Sequence, residues 1–142
     1  LEAGTHNMPG IAGLLEGIRF VSRTGTERIA RWERMLARRA AEGLRRMPEV
    51  EIFADEKETA QSGVLSFRVK GMDCEQIGEE LARREIAVRA GLHCAPLAHR
   101  TAGTLETGTV RLSPSVFNTE MQIDVFLREL GCILRENAKK SI

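Results

Sequence analysis

The sequence lacks an excess of either charge, a long apolar run and any CxxC pair of cysteines. Its 21 lysines and arginines are balanced by 20 aspartates and glutamates, for a formal net charge of +1. A chain so close to neutral exerts no long-range attraction on nucleic acid or on an anionic membrane. No apolar stretch approaches the roughly 20 residues that are needed to cross a bilayer. We therefore expect neither a nucleic-acid partner nor a membrane partner.

The cysteines do not form a disulfide framework. There are three of them, Cys74, Cys94 and Cys132, an odd number in a chain of 142 residues. Small secreted domains use even numbers of cysteines at regular spacings, so this set favours a reducing, cytoplasmic location. Cys74 lies on the apolar stripe of a predicted helix and is expected to pack. Cys132 is expected at a partly exposed position without basic neighbours.

The chain has the size of one domain but begins without an initiator methionine or a signal-peptide pattern. We expect it to come from inside a longer protein. Hydrophobic periodicity predicts two leading helices, one beginning at Pro9 and one capped by Thr26. A capping box at Asp73 and another at Thr119 each predict a later helix. Alternation and apolar content predict strands over residues 50–53, 63–69, 86–89 and 109–113. The fold class that follows is α+β, a small mixed or antiparallel sheet with helices packed mainly on one face.

Residues 90–108 differ from the rest of the chain, since they hold three glycines, two histidines and a cysteine with little periodicity. An interval this long without regular structure is usually functional or disordered. Cys94 is the candidate nucleophile, because Arg89 and His93 stand nearby and positive charge favours the reactive thiolate. The competing interpretation is a small buried cysteine that only packs. A zinc site made of His93, Cys94 and His99 is a weaker alternative, because the ligands lack paired spacing.

Two other segments carry polar residues that are suited to binding. In Thr109-Val110-Arg111-Leu112, alternation sends Arg111 to the face opposite its apolar neighbours, where its guanidinium could clamp a carboxylate. The alternative is a surface arginine on a solvated face. Near the start, Gly4 and Thr5 precede a helix and could offer an N–H and a hydroxyl to a phosphate.

The strings EAGT-N, VRAGLHCAP and TVRLS followed by FNT occur in this order. Together they resemble the cysteine desulfurase and selenocysteine lyase branch of the class V aminotransferases. The resemblance spans essentially the whole chain and implies that residues 1–142 form the C-terminal small domain of a homodimeric enzyme that uses pyridoxal 5′-phosphate (PLP). The large domain, which supplies the Schiff-base lysine, would lie upstream of residue 1.

The resemblance also implies roles for single residues. Cys94 matches the cysteine that accepts sulfur from L-cysteine and becomes a persulfide as L-alanine is released. Arg111 matches the arginine that binds the substrate carboxylate, and Arg89 and His93 match residues that line the approach to the thiol. A persulfide on such a loop would be passed to a sulfur-acceptor protein.

The cofactor phosphate and the subfamily are further implications of the resemblance. Thr5, with Gly4 beside it, matches a residue that reaches the PLP phosphate of the other subunit. His6 stands where the family commonly has proline, and CAPLAHRTAGTLETGT departs from the better-known members. A selenocysteine lyase or a class V aminotransferase is therefore an alternative for the parent enzyme. A third alternative is that the chain serves only as a structural or dimer-contact module, and the isolated chain is expected to be inactive.

Overall fold

The structure, a computed structural model, describes residues 4–55 and 61–140. Nine helices and strands lie in these residues: α1 (Met8–Thr24), α2 (Thr26–Leu44), β1 (Val50–Phe53), β2 (Leu65–Val69), α3 (Cys74–Ala82), β3 (Arg89–Gly91), α4 (Pro96–Thr101), β4 (Thr109–Leu112) and α5 (Glu120–Lys140). None of the helices in these residues combines the length and the hydropathy that a membrane crossing requires.

The four strands form one sheet in the order β1-β2-β4-β3. Every pairing in it is antiparallel, so the predicted α+β class is confirmed and the sheet is not mixed. The chain leaves β2, passes through α3 to the sheet edge as β3, and returns to insert β4 between them. This order makes Arg111 the direct cross-strand partner of Ser66 on one side and of Arg89 on the other.

The hydrophobic core lies on one face of the sheet. In β2 the residues Leu65, Phe67 and Val69 are buried and alternate with half-buried Ser66 and Arg68, the period-two pattern of a strand with one covered face. Helices α2, α3 and α5 supply the other half of this core. Among the helices of the described residues, the short α4 lies on the opposite face, where Ala98 and His99 line a small cavity together with Ser66 and Phe53. The prediction that the helices pack mainly on one face is confirmed.

The predicted N-cap at Asp73 and the predicted capping box at Thr119 are present, and one predicted cap is wrong. The Asp73 carboxylate accepts from the backbone N–H groups of Glu75 and Gln76. Thr119 and Gln122 bond reciprocally, each side chain accepting from the other's backbone N–H. Thr26, by contrast, is already inside α2. Gly25, at φ +87°, is both the C-cap of α1 and the N-cap of α2, because one helix follows the other directly.

The strand predicted over residues 86–89 begins later than expected, at Arg89. The cause is the end of α3, where Glu85 adopts φ +60° and its N–H donates to the Ala82 carbonyl. The N–H of Ile86 then donates to the Leu81 carbonyl over 3.0 Å. These two bonds form a Schellman motif, which uses the Ile86 amide to close the helix. That amide is therefore not available to a strand.

Helix α1 forms as predicted but buries none of its residues. Its apolar side chains at helical spacing, Ile11, Leu14, Leu15 and Ile18, are each about half exposed or more. Within the described residues its contacts are mainly with α2. The periodicity therefore identified a helix with an apolar face, but that face has no cover in the described part of the chain.

Gly108 allows β3 and β4 to approach closely at the end of the segment that contains α4. It is buried at φ +60°, and a Cβ placed there would lie 2.8 Å from Cys74 Sγ and 3.2 Å from the Gly91 backbone. We expect Gly108→Ala to lower the free energy of unfolding by about 2–4 kcal/mol, through overpacking and left-handed strain. Gly103 is the matched control, since its φ is +67° and nothing lies within 4 Å.

Urea unfolding of the two variants measures this prediction. Gly103→Ala should cost only about 1 kcal/mol, because it meets the backbone strain without the clash. Equal losses in the two variants would show that packing at Gly108 contributes nothing.

Candidate active site

Cys94 occupies a tight turn between β3 and α4. The N–H of Ala95 donates to the Leu92 carbonyl over 2.8 Å, and the two central residues, His93 and Cys94, have φ of +52° and +59°. Positive φ at both central positions defines a type I′ turn, which glycine and asparagine normally fill. Two consecutive side-chain-bearing residues in this region cost free energy, and such strain collects at functional sites.

The Cys94 thiol is exposed, and a cation stands beside it. Arg89 Nη2 lies 3.6 Å from Cys94 Sγ. This placement agrees with the sequence prediction of a loop cysteine and disfavours the interpretation as a buried packing residue. The structure therefore places a positive charge directly beside the exposed sulfur.

Arg111 lies on the same face of the sheet as Arg89, because directly paired residues of antiparallel strands point to the same side. Its strand neighbours Val110 and Leu112 are buried in the core on the other face, as the alternation predicted. Arg111 Nε is buried and has no hydrogen-bond partner among the described residues. A buried N–H group without an acceptor is energetically costly, whereas a surface arginine would donate to water. The Nε of Arg111 is therefore suited to donate to an anionic ligand.

His93 is held against β4 by one ring nitrogen. Its Nε2 lies 3.1 Å from both the carbonyl oxygen and Oγ1 of Thr109, whereas its Nδ1 is buried without a partner. A carbonyl can only accept, so Nε2 carries the hydrogen. Burial lowers the pKa of His93, and the positive charge of Arg111 lowers it further. The ring is therefore neutral at neutral pH, with a free lone pair on Nδ1.

The second histidine of this region has a structural role. His99 is buried in α4, and its Nδ1 lies 2.8 Å from Thr104 Oγ1. The rings of His93 and His99 are 5.6 Å apart, centroid to centroid. Over the described residues no three His, Cys, Asp or Glu side chains come together as metal ligands would. The geometry gives the zinc interpretation no support.

Gly4 and Thr5 are exposed and precede α1, apart from the secondary structure that carries Cys94. Gly4 has φ +120°, a conformation that favours glycine. Asn7 caps α1 by accepting from the Gly10 N–H over 3.0 Å.

The structure thus brings four of the predicted site residues into one region: Cys94, Arg89, His93 and Arg111. The other two, Gly4 and Thr5, lie before the N-terminus of a helix that packs mainly on α2.

The other two cysteines differ in their surroundings. Cys74 is buried in the core as predicted, and burial raises the pKa of its thiol. Cys132 is partly exposed, as expected, but the expectation that it has no basic neighbour is wrong. Arg135, one turn further along α5, places Nη2 3.1 Å from Cys132 Sγ.

Thr109 was not singled out from the sequence, although it holds His93. A signal for it was present, because Thr109 and Arg111 are two residues apart on one strand and so share a face. Its contact with His93 depends on the pairing of Thr109 with Gly91 across the sheet. That pairing cannot be read from either segment alone.

Residues 1–126 match the family profile of aminotransferase class-V. A probable cysteine desulfurase from Mycolicibacterium paratuberculosis is 45% identical over 137 residues, 96% of this chain and 19% of that protein. A probable cysteine desulfurase from Pyrococcus abyssi is 35% identical over 127 residues, 89% of this chain and 31% of that protein.

Solved structures agree with these sequence relatives. The apo cysteine desulfurase from Thermococcus onnurineus NA1 matches with a TM-score of 0.84 and 35% identity, over 99% of this chain and 33% of that one. The cysteine desulfurase CsdA from Escherichia coli, in its S-sulfonic acid form, matches with a TM-score of 0.84 and 30% identity, over 95% of this chain and 32% of that one. The chain thus spans between about a fifth and a third of the length of these relatives. With most of its residues matched by the family profile, this chain belongs to the aminotransferase class-V family.

Proposed function

We propose that this chain is the C-terminal small domain of a PLP-dependent cysteine desulfurase, in which Cys94 takes the sulfur of L-cysteine. The observation that carries the proposal is an exposed thiol, held in a strained turn with Arg89 Nη2 3.6 Å from its sulfur. The similarity to cysteine desulfurases over nearly the whole chain supports the same activity.

The residues present fit an amino acid held at such a cofactor. Arg111 Nε is a buried donor without an acceptor, and the carboxylate of L-cysteine is an acceptor of the right charge. Gly4 and Thr5 would hold the cofactor phosphate, contributed to the other subunit of a homodimer. The Schiff-base lysine would come from a large domain upstream of residue 1. Bound PLP supplies an electron sink that weakens the C–S bond of the substrate.

The residues of this chain divide the remaining work. Arg111 binds the carboxylate and so fixes the substrate, while Arg89 places a positive charge beside Cys94 Sγ. Cys94 Sγ attacks the substrate sulfur, so that an S–S bond forms and the C–S bond breaks. The electron pair of the broken bond stays with the carbon, which takes a proton and leaves in L-alanine. Cys94 retains the sulfur as a persulfide, and no external oxidant or reductant is needed.

The exposure of Cys94 suits delivery of this sulfur to an acceptor protein. The apolar face of α1 suits burial against the large domain or the second subunit, because its residues lack cover in the described structure. The odd cysteine count supports a cytoplasmic location, where thiols stay reduced.

The test is to incubate the intact, PLP-loaded protein with L-cysteine and to map the added sulfur by mass spectrometry. We expect one additional sulfur atom on the peptide that contains Cys94, matched by an equal amount of alanine. The isolated 142-residue chain should release no alanine. Alanine formed only when pyruvate is supplied as amino acceptor would identify an aminotransferase instead. Turnover of selenocysteine in place of cysteine would identify a selenocysteine lyase, and the absence of any turnover would leave a structural module.

A further inference from the structure

The two ring nitrogens of His93 have opposite surroundings. Nε2 is bound, because its hydrogen is directed at the carbonyl and the hydroxyl of Thr109, both 3.1 Å away. Nδ1 is buried and has no partner among the described residues. In this tautomer Nδ1 is an acceptor, so the structure buries a basic lone pair that nothing in the described part of the chain uses. The desulfuration steps assigned above do not use it either.

We propose that His93 Nδ1 is the proton acceptor for the α-ammonium group of the amino acid whose carboxylate Arg111 binds. This inference rests on the proposed function, because it assumes an amino acid substrate at Arg111. It adds a residue that recognises the second polar group of that substrate and removes a proton from it.

The pairing of two partnerless atoms supports this assignment. Arg111 Nε and His93 Nδ1 are the two buried side-chain polar atoms of the described residues that have no hydrogen-bond partner. One is a donor and the other an acceptor, and the charge of Arg111 acts directly on the His93 ring. An α-amino acid presents an acceptor carboxylate and a donor ammonium on a single carbon. It therefore offers a partner of the right kind to each of the two atoms, whereas a simple carboxylate would leave Nδ1 unpaired.

The proton transfer balances without a further reactant. One N–H bond of the ammonium breaks, an N–H bond to Nδ1 forms, and the electron pair stays on the amine nitrogen. The result is a neutral amine with a free lone pair and an imidazolium at His93. The imidazolium returns the proton to the amino group when L-alanine leaves, so that His93 is restored in each turnover.

The surrounding charges keep His93 in the accepting state. The groups that face it are Arg111 from β4, His99 from α4 and Arg89 from β3, and all three lower its pKa in addition to the effect of burial. The base form is therefore present at neutral pH, and it is lost only as the pH falls through a value below the ordinary one near 6.5. The same charges disfavour the imidazolium and promote return of the proton.

Two substitutions separate the roles of the two nitrogens. His93→Gln places an amide N–H near the Nε2 position and keeps a donor for Thr109, but it removes the Nδ1 base. His93→Asn places an oxygen near the Nδ1 position and tolerates the positive φ, but it loses the bond to Thr109. Both variants are made in the intact, PLP-loaded protein. Alanine release and the rate at which iodoacetamide alkylates Cys94 are both measured, the second as a readout of the turn alone.

We expect His93→Gln to lower kcat/KM for L-cysteine by about 10²–10⁴-fold, the usual contribution of a general base. The acidic limb of its pH profile should disappear, and the alkylation rate of Cys94 should stay within about twofold of wild type. His93→Asn should lower kcat/KM and should also slow the alkylation of Cys94, because the turn loses the hydrogen bond between His93 and Thr109. A His93→Gln protein that turns over at the wild-type rate would overturn the inference. So would one that loses alkylation and turnover in parallel, since His93 would then only position the turn.

If the proposed function is wrong, the wild-type protein itself releases no alanine. The inference is then tested by comparing how strongly L-alanine and propionate, which lacks the ammonium group, each protect Cys94 from iodoacetamide. Stronger protection by L-alanine that His93→Gln abolishes would support an ammonium acceptor at Nδ1. Equal protection by the two ligands in wild type would refute it.

Discussion

Replacing Cys94 by alanine is expected to abolish alanine release from L-cysteine. Removal of a nucleophile costs on the order of 10³-fold or more in kcat, because the neighbouring groups cannot substitute for it. Arg89 would keep its charge and Arg111 its carboxylate site, so binding of L-cysteine should persist with little change in affinity. The fold should tolerate the change, since Cys94 is exposed and alanine is smaller. Alanine release and substrate binding are measured on the same PLP-loaded sample.

Cys132→Ala is the matched control for this prediction. Cys132 also has an arginine beside its sulfur, with Arg135 Nη2 at 3.1 Å, but it lies on α5 rather than in the strained turn. The Cys132→Ala protein should therefore release alanine at the wild-type rate. If Cys94→Ala released alanine at the wild-type rate, Cys94 would not be the sulfur acceptor, and the desulfurase proposal would fail. If Cys132→Ala lost activity instead, the acceptor thiol would lie on α5.

The sequence was sufficient to predict elements whose pattern is local. Strand β4 follows from alternation, since Val110 and Leu112 are buried and Arg111 is not. The capping box at Thr119 follows from residue types at fixed spacing. In each case the interaction that stabilises the element joins residues close together in the chain. The position of Arg111 on the face of the sheet opposite the core could be predicted for the same reason.

The elements that were missed depend on distant or unusual backbone geometry. Residues 90–108 were expected to be a loop, but they contain the end of β3 and the helix α4. The turn before α4 has positive φ at His93 and Cys94, which no glycine announces. The hydrogen bonds between His93 and Thr109 require β3 and β4 to pair in one register. Periodicity predicts that α1 has an apolar face, but it does not tell which surface, if any, that face packs against.

Replacing Arg111 has the second largest expected effect. Arg111→Met should lower kcat/KM for L-cysteine by about 10²–10³-fold, because a desolvated charge-assisted clamp is lost. Arg111→Lys should recover little of this loss, since an ammonium cannot form two parallel bonds to a carboxylate. Most of the effect should appear in KM, because Arg111 binds the substrate and does not form the S–S bond. Arg68→Met is the control, since Arg68 lies on the same sheet and pairs with Glu51 over 2.7 Å, without an unpaired buried nitrogen.

The same substitution also changes the titration of His93. The positive charge of Arg111 lowers the pKa of His93, so Arg111→Met should raise that pKa toward its ordinary value. The sign follows from charge, because the imidazolium is less disfavoured once a neighbouring cation is gone. In a pH series of kcat/KM, the acidic limb should therefore move to higher pH in Arg111→Met and stay in place in Arg68→Met. An unchanged KM in Arg111→Met would place the substrate carboxylate away from Arg111, and a limb that does not move would show that the charge of Arg111 does not act on the titrating group.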